Sequence, residues 1–255
     1  MMVHPTAAKG YTASSEVFVK GRPDYPPEVA DWLRGDLALG PGKTVLDLGA
    51  GTGKFLPTLR ATGASVVAVE PVDAMRARMI EQNPGVDAMA GSAEHIPVTD
   101  CSVDAVICAQ SFHWFANQRA VIEIHRVLKP GAHLGLIWNV RDERVPWVAD
   151  LTAIIEPYAY DAPRYHRQDW RLIFPAQGFS SLIEKHFNHH HTGTPEQVIV
   201  ARALSVSFIA ALPLDWQDTI AAQIRSLIAR TPELAGKTEV AFPYRTVVFN
   251  CHRVS

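Results

Sequence analysis

VLDLGAGTGKF, residues 45–55, places three glycines directly after an apolar run and directly before a helix-like pattern. Glycines in such a turn permit positive φ angles and allow the backbone to approach a ligand without a Cβ atom in the way. The start of the following helix offers unpaired N–H groups and a partial positive charge, where a carboxylate or phosphate can bind. The stretch therefore predicts a strand–turn–helix unit whose turn binds a ligand.

The glycine spacing separates this turn from two other nucleotide-binding turns. The dinucleotide fingerprint G-x-G-x-x-G needs a small third residue where this chain has Lys54. The Walker pattern is absent, because no Gly-Lys-Ser/Thr follows at the required spacing. A nicotinamide-dependent oxidoreductase is therefore the weaker hypothesis. Lys54 itself has two interpretations, a ligand contact or a lysine that points to solvent.

Polar residues also follow the next three apolar runs. Glu70 lies 17 residues after Gly53 at the end of the second run, where a carboxylate can accept hydrogen bonds from both hydroxyls of an unphosphorylated ribose. Gly91–Glu94 follows the third run, and Gln110–Phe115 follows the fourth. Open α/β sheets bind ligands at the carboxyl edge of their strands, where we expect all four loops to meet.

Apolar runs alternate with helical patterns over residues 43–140, which predicts an α/β fold with a doubly wound parallel sheet. The predicted strands are Thr44–Leu48, Ser65–Val69, Val86–Ala90, Val103–Ala109 and His133–Trp138, and the predicted helices are Phe55–Ala61, Val72–Gln82 and Gln118–Leu128, with a turn at Lys129–Gly131. Farther along, helical patterns cover Trp147–Tyr158, Pro195–Val206 and Trp216–Ala229, and strand-like runs cover Leu182–Asn188 and Arg245–Cys251.

These patterns predict one domain with three parts. Residues 1–40 form a cap segment and a helix, residues 41–140 form a Rossmann-like core, and residues 141–255 add the last strands and substrate-pocket helices. The expected sheet has seven strands and is mostly parallel, with an antiparallel last strand and C-terminal helices that form a lid.

The order of the motifs resembles the class I S-adenosylmethionine-dependent methyltransferases, and the type 11 methyltransferase domain most of all. The motifs are DLGAGTG at 47–53, VEP at 69–71, GSAEHIP at 91–97, DAV at 104–106 and RVLKPG at 126–131. The segment RPDYP at 22–26 is similar to that of trans-aconitate methyltransferase-like proteins. The resemblance implies S-adenosylmethionine as methyl donor, S-adenosylhomocysteine as product and a small-molecule acceptor.

The resemblance also implies a role for each motif residue. At the methionine end it implies Asp47, Gly49, Ala50, Gly51, Thr52 and Gly53, with Gln110 and Ser111 near the amino group and the sulfonium. It implies Glu70 and Pro71 at the ribose, with Met75 packed nearby, and Ser92, Ala93 and Glu94 at the adenine. Arg22 and Tyr25 would belong to a segment that folds over the cofactor.

His113 is the candidate catalytic residue. A hydroxyl, phenol or amine acceptor usually needs a general base, whereas a carboxylate acceptor needs none. A structural histidine beside Trp114 is the more ordinary interpretation. The leading hypothesis is O-methylation of a carboxylate or hydroxyl on a small molecule, and the alternative is a protein that holds S-adenosylmethionine without turnover.

Two further groups of polar residues have plain interpretations. The histidines His186, His189, His190 and His191 match no familiar ligand spacing, so no metal site is predicted. Tyr165–Arg167 and Arg202 suit recognition of an acidic substrate, but we favour exposed surface charge.

Composition limits the partners of the chain. Its 255 residues carry 24 basic and 26 acidic side chains without blocks of one sign, so neither nucleic acid nor a membrane surface is expected as partner. No apolar run reaches the roughly 20 residues that span a bilayer, and the first ten residues lack a secretion signal. Cys101, Cys108 and Cys251 suit neither a disulfide framework nor a zinc site, so we expect a cytoplasmic protein.

Overall fold

One seven-stranded sheet organises the part of the chain that the computed structural model describes, residues 22–160 and 163–254. The strand order is β3-β2-β1-β4-β5-β7-β6. The strands are β1 Thr44–Leu48, β2 Ser65–Val69, β3 Asp87–Met89, β4 Val103–Ala109, β5 Leu128–Arg141, β6 Ile183–Gly193 and β7 Val240–His252. Residues 1–21 of the predicted cap segment lie outside the described ranges.

The α-helices are α1 Glu28–Gly35, α2 Leu56–Arg60, α3 Asp73–Gln82, α4 Gln118–Val127, α5 Pro146–Ile155, α6 Arg202–Leu204, α7 Ser207–Ala210 and α8 Leu214–Arg230. A π-helical stretch over Glu196–Ala201 leads into α6. In none of the helices of the described ranges do length and apolar character suffice for a membrane crossing.

The pairing of the strands confirms the predicted sheet. β1 pairs in parallel with β2 and β4, and the parallel pairing continues to β3 on one side and β5 on the other. β7 is antiparallel to both of its neighbours, β5 and β6. The carboxyl ends of β1, β2 and β4 therefore meet at one edge, which brings the loops after residues 48, 69 and 109 together.

Three elements of the second half differ from their predicted bounds. β5 and β7 are longer than predicted because they pair with each other from His133 opposite His252 to Arg141 opposite Tyr244. Helix α4 ends just before Lys129–Gly131, as predicted, but these three residues lie inside β5 and not in a turn, at the place where its register with β4 shifts. β6 extends to Gly193, and apolar and polar residues alternate only weakly along it because much of the strand is exposed.

A separate group of helices stands at the carboxyl edge of the sheet. The residues of β7 before Tyr244 continue past the end of β5, and the apolar side chains of α5, α8 and the stretch around Glu196–Ala201 pack on them. Trp147 of α5 meets Phe242 with ring centroids 5.1 Å apart. These helices therefore lie beside the loops that carry the predicted ligand-binding residues.

Candidate active site

The glycine turn has the backbone conformation that its sequence predicts. Gly49, Gly51 and Gly53 have φ angles of 71°, 60° and 81°. A Cβ atom on Gly53 would lie 2.7 Å from Nδ2 of Asn83 and 2.8 Å from Cγ of Met79. This glycine is therefore required both by its φ angle and by the helix packed against it.

Asp47 is the most unusual residue of the turn. Its side chain is fully buried near the end of β1, and neither carboxylate oxygen has a hydrogen-bond partner among the described residues. Burial, together with the charge of Glu70, raises the pKa of Asp47 to about 7. A buried carboxylate without partners is costly, and a ligand cation with N–H donors would supply the missing bonds.

Glu70 joins the glycine turn to the end of β2. Its Oε2 accepts a hydrogen bond of 2.8 Å from the Gly51 N–H, and its Oε1 accepts one of 2.9 Å from the Val72 N–H. Burial raises the pKa of Glu70, while these two hydrogen bonds oppose the rise. An ionised carboxylate has about four acceptor sites, so both oxygens keep capacity for a pair of ligand hydroxyls.

Met75 packs close to the turn as well. A Cβ atom on Gly51 would lie 3.2 Å from the Met75 Cε, so this methionine borders the backbone that a ligand would approach. Pro71, beside Glu70, is exposed. The ribose and methionine roles of these residues stay predictions.

The segment before α1, residues 22–27, which we call the lead-in segment, crosses to the same edge of the sheet. Lys54 forms an ion pair of 2.9 Å with Asp24. The charge of this lysine therefore has a partner within the protein and needs no ligand. Nδ2 of Asn139, at the end of β5, donates to the Asp24 carbonyl over 2.9 Å. The glycine turn and the end of β5 therefore hold this segment in place.

Arg22 and Tyr25 of the lead-in segment reach the loop after β4. The ring of Tyr25 meets Phe55 at 4.7 Å, and its hydroxyl is hydrogen-bonded by the side chain of Gln110. Arg22 donates to the Ser205 carbonyl over 3.4 Å. The segment thus contacts both the loops after β1 and β4 and the stretch around Ser205; its predicted role of covering a cofactor stays a prediction.

Ser111 supports the glycine turn from the side. Its hydroxyl donates to the Leu48 carbonyl over 2.8 Å, and a Cβ atom on Gly49 would lie 2.9 Å from the Ser111 Cβ. The contact ties the end of β4 to the end of β1. This buried serine positions the turn, while Gln110 beside it adopts a positive φ of 58°.

His113 has a hydrogen bond that argues against its predicted role as a general base. Its Nδ1 lies 3.1 Å from Nε1 of Trp138. The indole N–H can only donate, so Nδ1 accepts and the ring proton resides on Nε2. Burial and the nearby charge of Arg22 lower the pKa of His113 to about 3. The ring is therefore neutral, with Nδ1 occupied as an acceptor and Nε2 carrying the proton.

The loop predicted to contact adenine is fixed by residues that the sequence analysis missed. Nδ2 of Asn117 donates to Glu94 over 2.9 Å, and Ala93 is buried. Arg126 of α4 donates to the carbonyls of Ile96 and Val98 at 2.8 and 2.9 Å. Arg126 is the first residue of the RVLKPG motif, and this membership is the sequence signal that could have identified it as a residue that supports the site.

The histidines of β6 make contacts with neighbouring charged side chains. No group of three or more potential metal ligands occurs within the described ranges. His186 instead contacts Arg245 at 2.8 Å and Glu184 at 3.1 Å. His189 and His191 are half-buried and carry lowered pKa values because of burial.

A cavity of about 390 Å³ lies at the end of β5. It is lined by Val140, Arg141, Asp142, Glu143, Arg144, Tyr165, His166, His186, Arg245 and Val247. His166 and Arg167 are exposed, as their surface interpretation requires. Arg202 is half-buried with a fully buried Nε, so this side chain is less exposed than the surface interpretation implies.

Known proteins resemble the chain in both sequence and fold. A family model described as a methyltransferase domain matches residues 46–136. An uncharacterized methyltransferase-like protein of Schizosaccharomyces pombe is 37% identical over 91% of each chain. A malonyl-[acyl-carrier protein] O-methyltransferase of Methylococcus capsulatus is 33% identical over 59% of this chain and 57% of its own length.

The fold also matches a solved structure from Anaeromyxobacter dehalogenans, provisionally described as a type II methyltransferase. The TM-score is 0.64 at 21% identity, over 91% of this chain and 97% of the other. At this level of identity the match concerns the fold.

Proposed function

The chain belongs to the class I S-adenosylmethionine-dependent methyltransferases, and from this premise we propose that it methylates an oxygen of a small-molecule acceptor. The relative from Methylococcus capsulatus, named as an O-methyltransferase, supports oxygen as the target. Membership of this family sets aside the oxidoreductase hypothesis, and Lys54 in the place of a small residue agrees with that.

The pair of buried carboxylates at the glycine turn carries the proposal. Asp47, with two unpartnered oxygens, suits the amino group of the methionine moiety. Glu70 has acceptor capacity left for the two ribose hydroxyls. The adenine would lie at the loop of Ser92–Glu94, which Asn117 and Arg126 hold in place.

The cofactor, when bound, supplies a methyl group already activated by a sulfonium. The residues of the chain bind and orient the cofactor and the acceptor, and they exclude water from the site. The lead-in segment with Tyr25 covers the edge, and His113 offers an N–H donor. Because His113 is unsuited to remove a proton, we favour a carboxylate acceptor over a hydroxyl.

Calorimetric titration with S-adenosylhomocysteine tests the cofactor site. We expect Glu70→Ala to weaken binding by about 1.5–3 kcal/mol, the range for hydrogen bonds to a charged group. Asp73→Asn is the matched control, because this carboxylate lies three residues on, is exposed and forms a surface ion pair of 2.6 Å with Arg76. Unchanged affinity in Glu70→Ala would contradict the ribose assignment.

Release of S-adenosylhomocysteine during turnover tests the acceptor class. The purified enzyme is supplied with S-adenosylmethionine and with separate panels of carboxylic acids, alcohols and phenols. Turnover confined to alcohols or phenols would overturn the preference for a carboxylate, and His113→Asn would then decide whether this ring participates.

A further inference from the structure

The amide of Asn139, at the end of β5, joins two parts of the chain that are far apart in sequence. Its Nδ2 donates to the Asp24 carbonyl over 2.9 Å, and its Oδ1 accepts a hydrogen bond of 2.6 Å from the hydroxyl of Thr246. Asn139 lies opposite Thr246 in the antiparallel pairing of β5 with β7. One amide therefore connects the lead-in segment to strand β7.

The orientation of this amide is determined by its two partners. A backbone carbonyl can only accept a hydrogen bond, so the nitrogen of the amide must face Asp24. The oxygen then faces Thr246, whose side chain is fully buried and whose hydroxyl is the donor. A buried hydroxyl without a partner is costly, so this bond opposes rotation of the amide by half a turn. Thr246 thus determines the direction in which Asn139 donates.

Contacts from three elements meet on Asp24. Besides the bond from Asn139, the ring of His189 in β6 hydrogen-bonds the Asp24 backbone. The Asp24 carboxylate pairs with Lys54 after the glycine turn, but this carboxylate is 89% exposed. Exposed ion pairs contribute little, so the contacts on the backbone of Asp24 contribute more to the position of the lead-in segment than the ion pair does.

The next residue, Tyr25, carries the position of Asp24 to the loops of the candidate active site. Its ring meets Phe55 at 4.7 Å, and the side chain of Gln110 hydrogen-bonds its hydroxyl. Consecutive Cα atoms are about 3.8 Å apart, so a shift of Asp24 moves Tyr25 as well. The chain of hydrogen bonds that begins in β7 therefore ends beside the residue that the proposed function places over the cofactor.

We propose that Asn139, oriented by Thr246, is a positioning residue that holds the lead-in segment over the bound cofactor. The inference rests on the proposed function. An amide offers both the acceptor that Thr246 needs and the donor that the Asp24 carbonyl needs, whereas an ionised carboxylate of the same shape keeps the first bond and loses the second. Asn139→Asp is therefore a selective test.

Dissociation of S-adenosylhomocysteine, measured by stopped-flow displacement, provides the first readout. At pH 8 we expect Asn139→Asp to release it about 3- to 10-fold faster than the wild type, because a donor is replaced by an oxygen that repels the Asp24 carbonyl. The difference should shrink towards pH 4, since a protonated carboxyl can donate again. Asn188→Asp is the matched control, because it adds the same charge at an exposed position of β6, opposite Arg245. Equal acceleration in both variants would indicate a general effect of charge and contradict the proposal.

Variants of Thr246 separate orientation from packing. Thr246→Val has the same shape but no hydroxyl, so the amide of Asn139 loses the bond that orients it, and dissociation should accelerate about 2- to 5-fold. Thr246→Ser keeps the hydroxyl and should retain the wild-type rate. A purely structural role of this side chain predicts the reverse order, since serine leaves a small cavity and valine does not. Wild-type rates in both Thr246→Val and Asn139→Asp would overturn the proposal.

A second readout does not depend on the cofactor. In protein labelled with fluorotyrosine, the fluorine resonance of Tyr25 is identified in NMR spectra by its absence from Tyr25→Phe. We expect Thr246→Val and Asn139→Asp to shift or broaden this resonance, and Thr246→Ser and Asn188→Asp to leave it in place. An unmoved resonance in the first two variants would contradict the positioning role. Should one of these two not fold, the other still decides.

The result is separable from that of the proposed function. Wild-type protein that does not bind S-adenosylhomocysteine would refute the proposed function. Normal binding by the wild type, together with wild-type dissociation rates in Asn139→Asp and Thr246→Val, would refute this inference alone.

Discussion

Asp47 shows how a residue suited to a ligand lowers the stability of the free protein. Its pKa in the folded state, about 7, lies above the ordinary value of 3.8. Such a group contributes fully to stability below its unfolded pKa, and the contribution is lost as the pH rises towards the folded pKa. At neutral pH and above, the buried charge therefore favours unfolding.

Replacement of Asp47 by Asn should raise the free energy of unfolding at pH 8 by about 1 kcal/mol or more, because the buried charge is removed. The gain should shrink towards pH 4. Urea unfolding at both pH values checks this. Asp104→Asn is the control of opposite sign, since Lys129 and Lys43 lower the pKa of Asp104, so that variant should be destabilised at pH 8. A destabilised Asp47→Asn at pH 8 would contradict the account.

Two glycines of the turn should respond differently to alanine. Gly53→Ala places a Cβ atom against Asn83 and Met79 at a φ of 81°, so we expect a loss of unfolding free energy of about 2 kcal/mol or more. Gly51→Ala meets only the flexible end of Met75 at 3.2 Å and should cost about 1–2 kcal/mol. Thermal unfolding measures both losses. Equal losses would show that the positive φ angle alone determines the cost, and would contradict a role for the contacts with Asn83 and Met79.

The sequence predicted which residues meet at the site better than it predicted what they do. Glu70 was placed at the strand end by spacing, but its bond to the Gly51 N–H depends on a loop 19 residues away. The tautomer of His113 depends on Trp138, 25 residues on. Contacts of this kind follow from strand order, which the local sequence does not encode.

At the scale of elements, α4 and the loop before β4 behave as one unit. Besides its two carbonyl contacts, Arg126 pairs with Glu123 at 2.8 Å and with Asp100 at 2.6 Å. Glu123 also accepts the Ile96 N–H over 2.9 Å. Arg126 therefore holds the second half of the proposed adenine loop, while Asn117 holds Glu94 in its first half.

Arg126→Met should free this loop while the helix persists. We expect faster amide hydrogen exchange over residues 91–100 and weaker binding of S-adenosylhomocysteine, since a mobile loop must be ordered on binding. Exchange measured by mass spectrometry checks this. Arg119→Met, on the exposed side of the same helix, should leave both quantities unchanged, and equal effects of the two variants would contradict the assigned role.

Element prediction succeeded where the apolar pattern was strong. β1, β2 and β4 have their predicted bounds, because these strands lie inside the sheet and most of their residues are apolar. β5, β6 and β7 were predicted too short. Their ends pair with one another beyond the core, where polar residues such as His189 are acceptable and the pattern is lost.

At the scale of the whole molecule, the lead-in segment couples distant parts of the chain. Lys54→Gln removes its ion pair with Asp24, whose side chain is 89% exposed. Stability should change by less than about 1 kcal/mol, but S-adenosylhomocysteine should dissociate faster, because the segment that we propose covers the cofactor is then held less firmly. Stopped-flow displacement measures the rate. Lys185→Gln, which breaks the comparable pair with Asp36 at 2.7 Å, should leave the rate unchanged.

The position of β7 has a consequence for biosynthesis. This strand follows β6 in the chain but lies between β5 and β6 in the sheet. A nascent polypeptide that has emerged from the ribosome only as far as residue 239 therefore holds two unsatisfied strand edges at once. Pairing of such distant segments is slow and exposes them to aggregation. Chaperone demand during translation should thus concentrate on the interval before Val240–His252 appears.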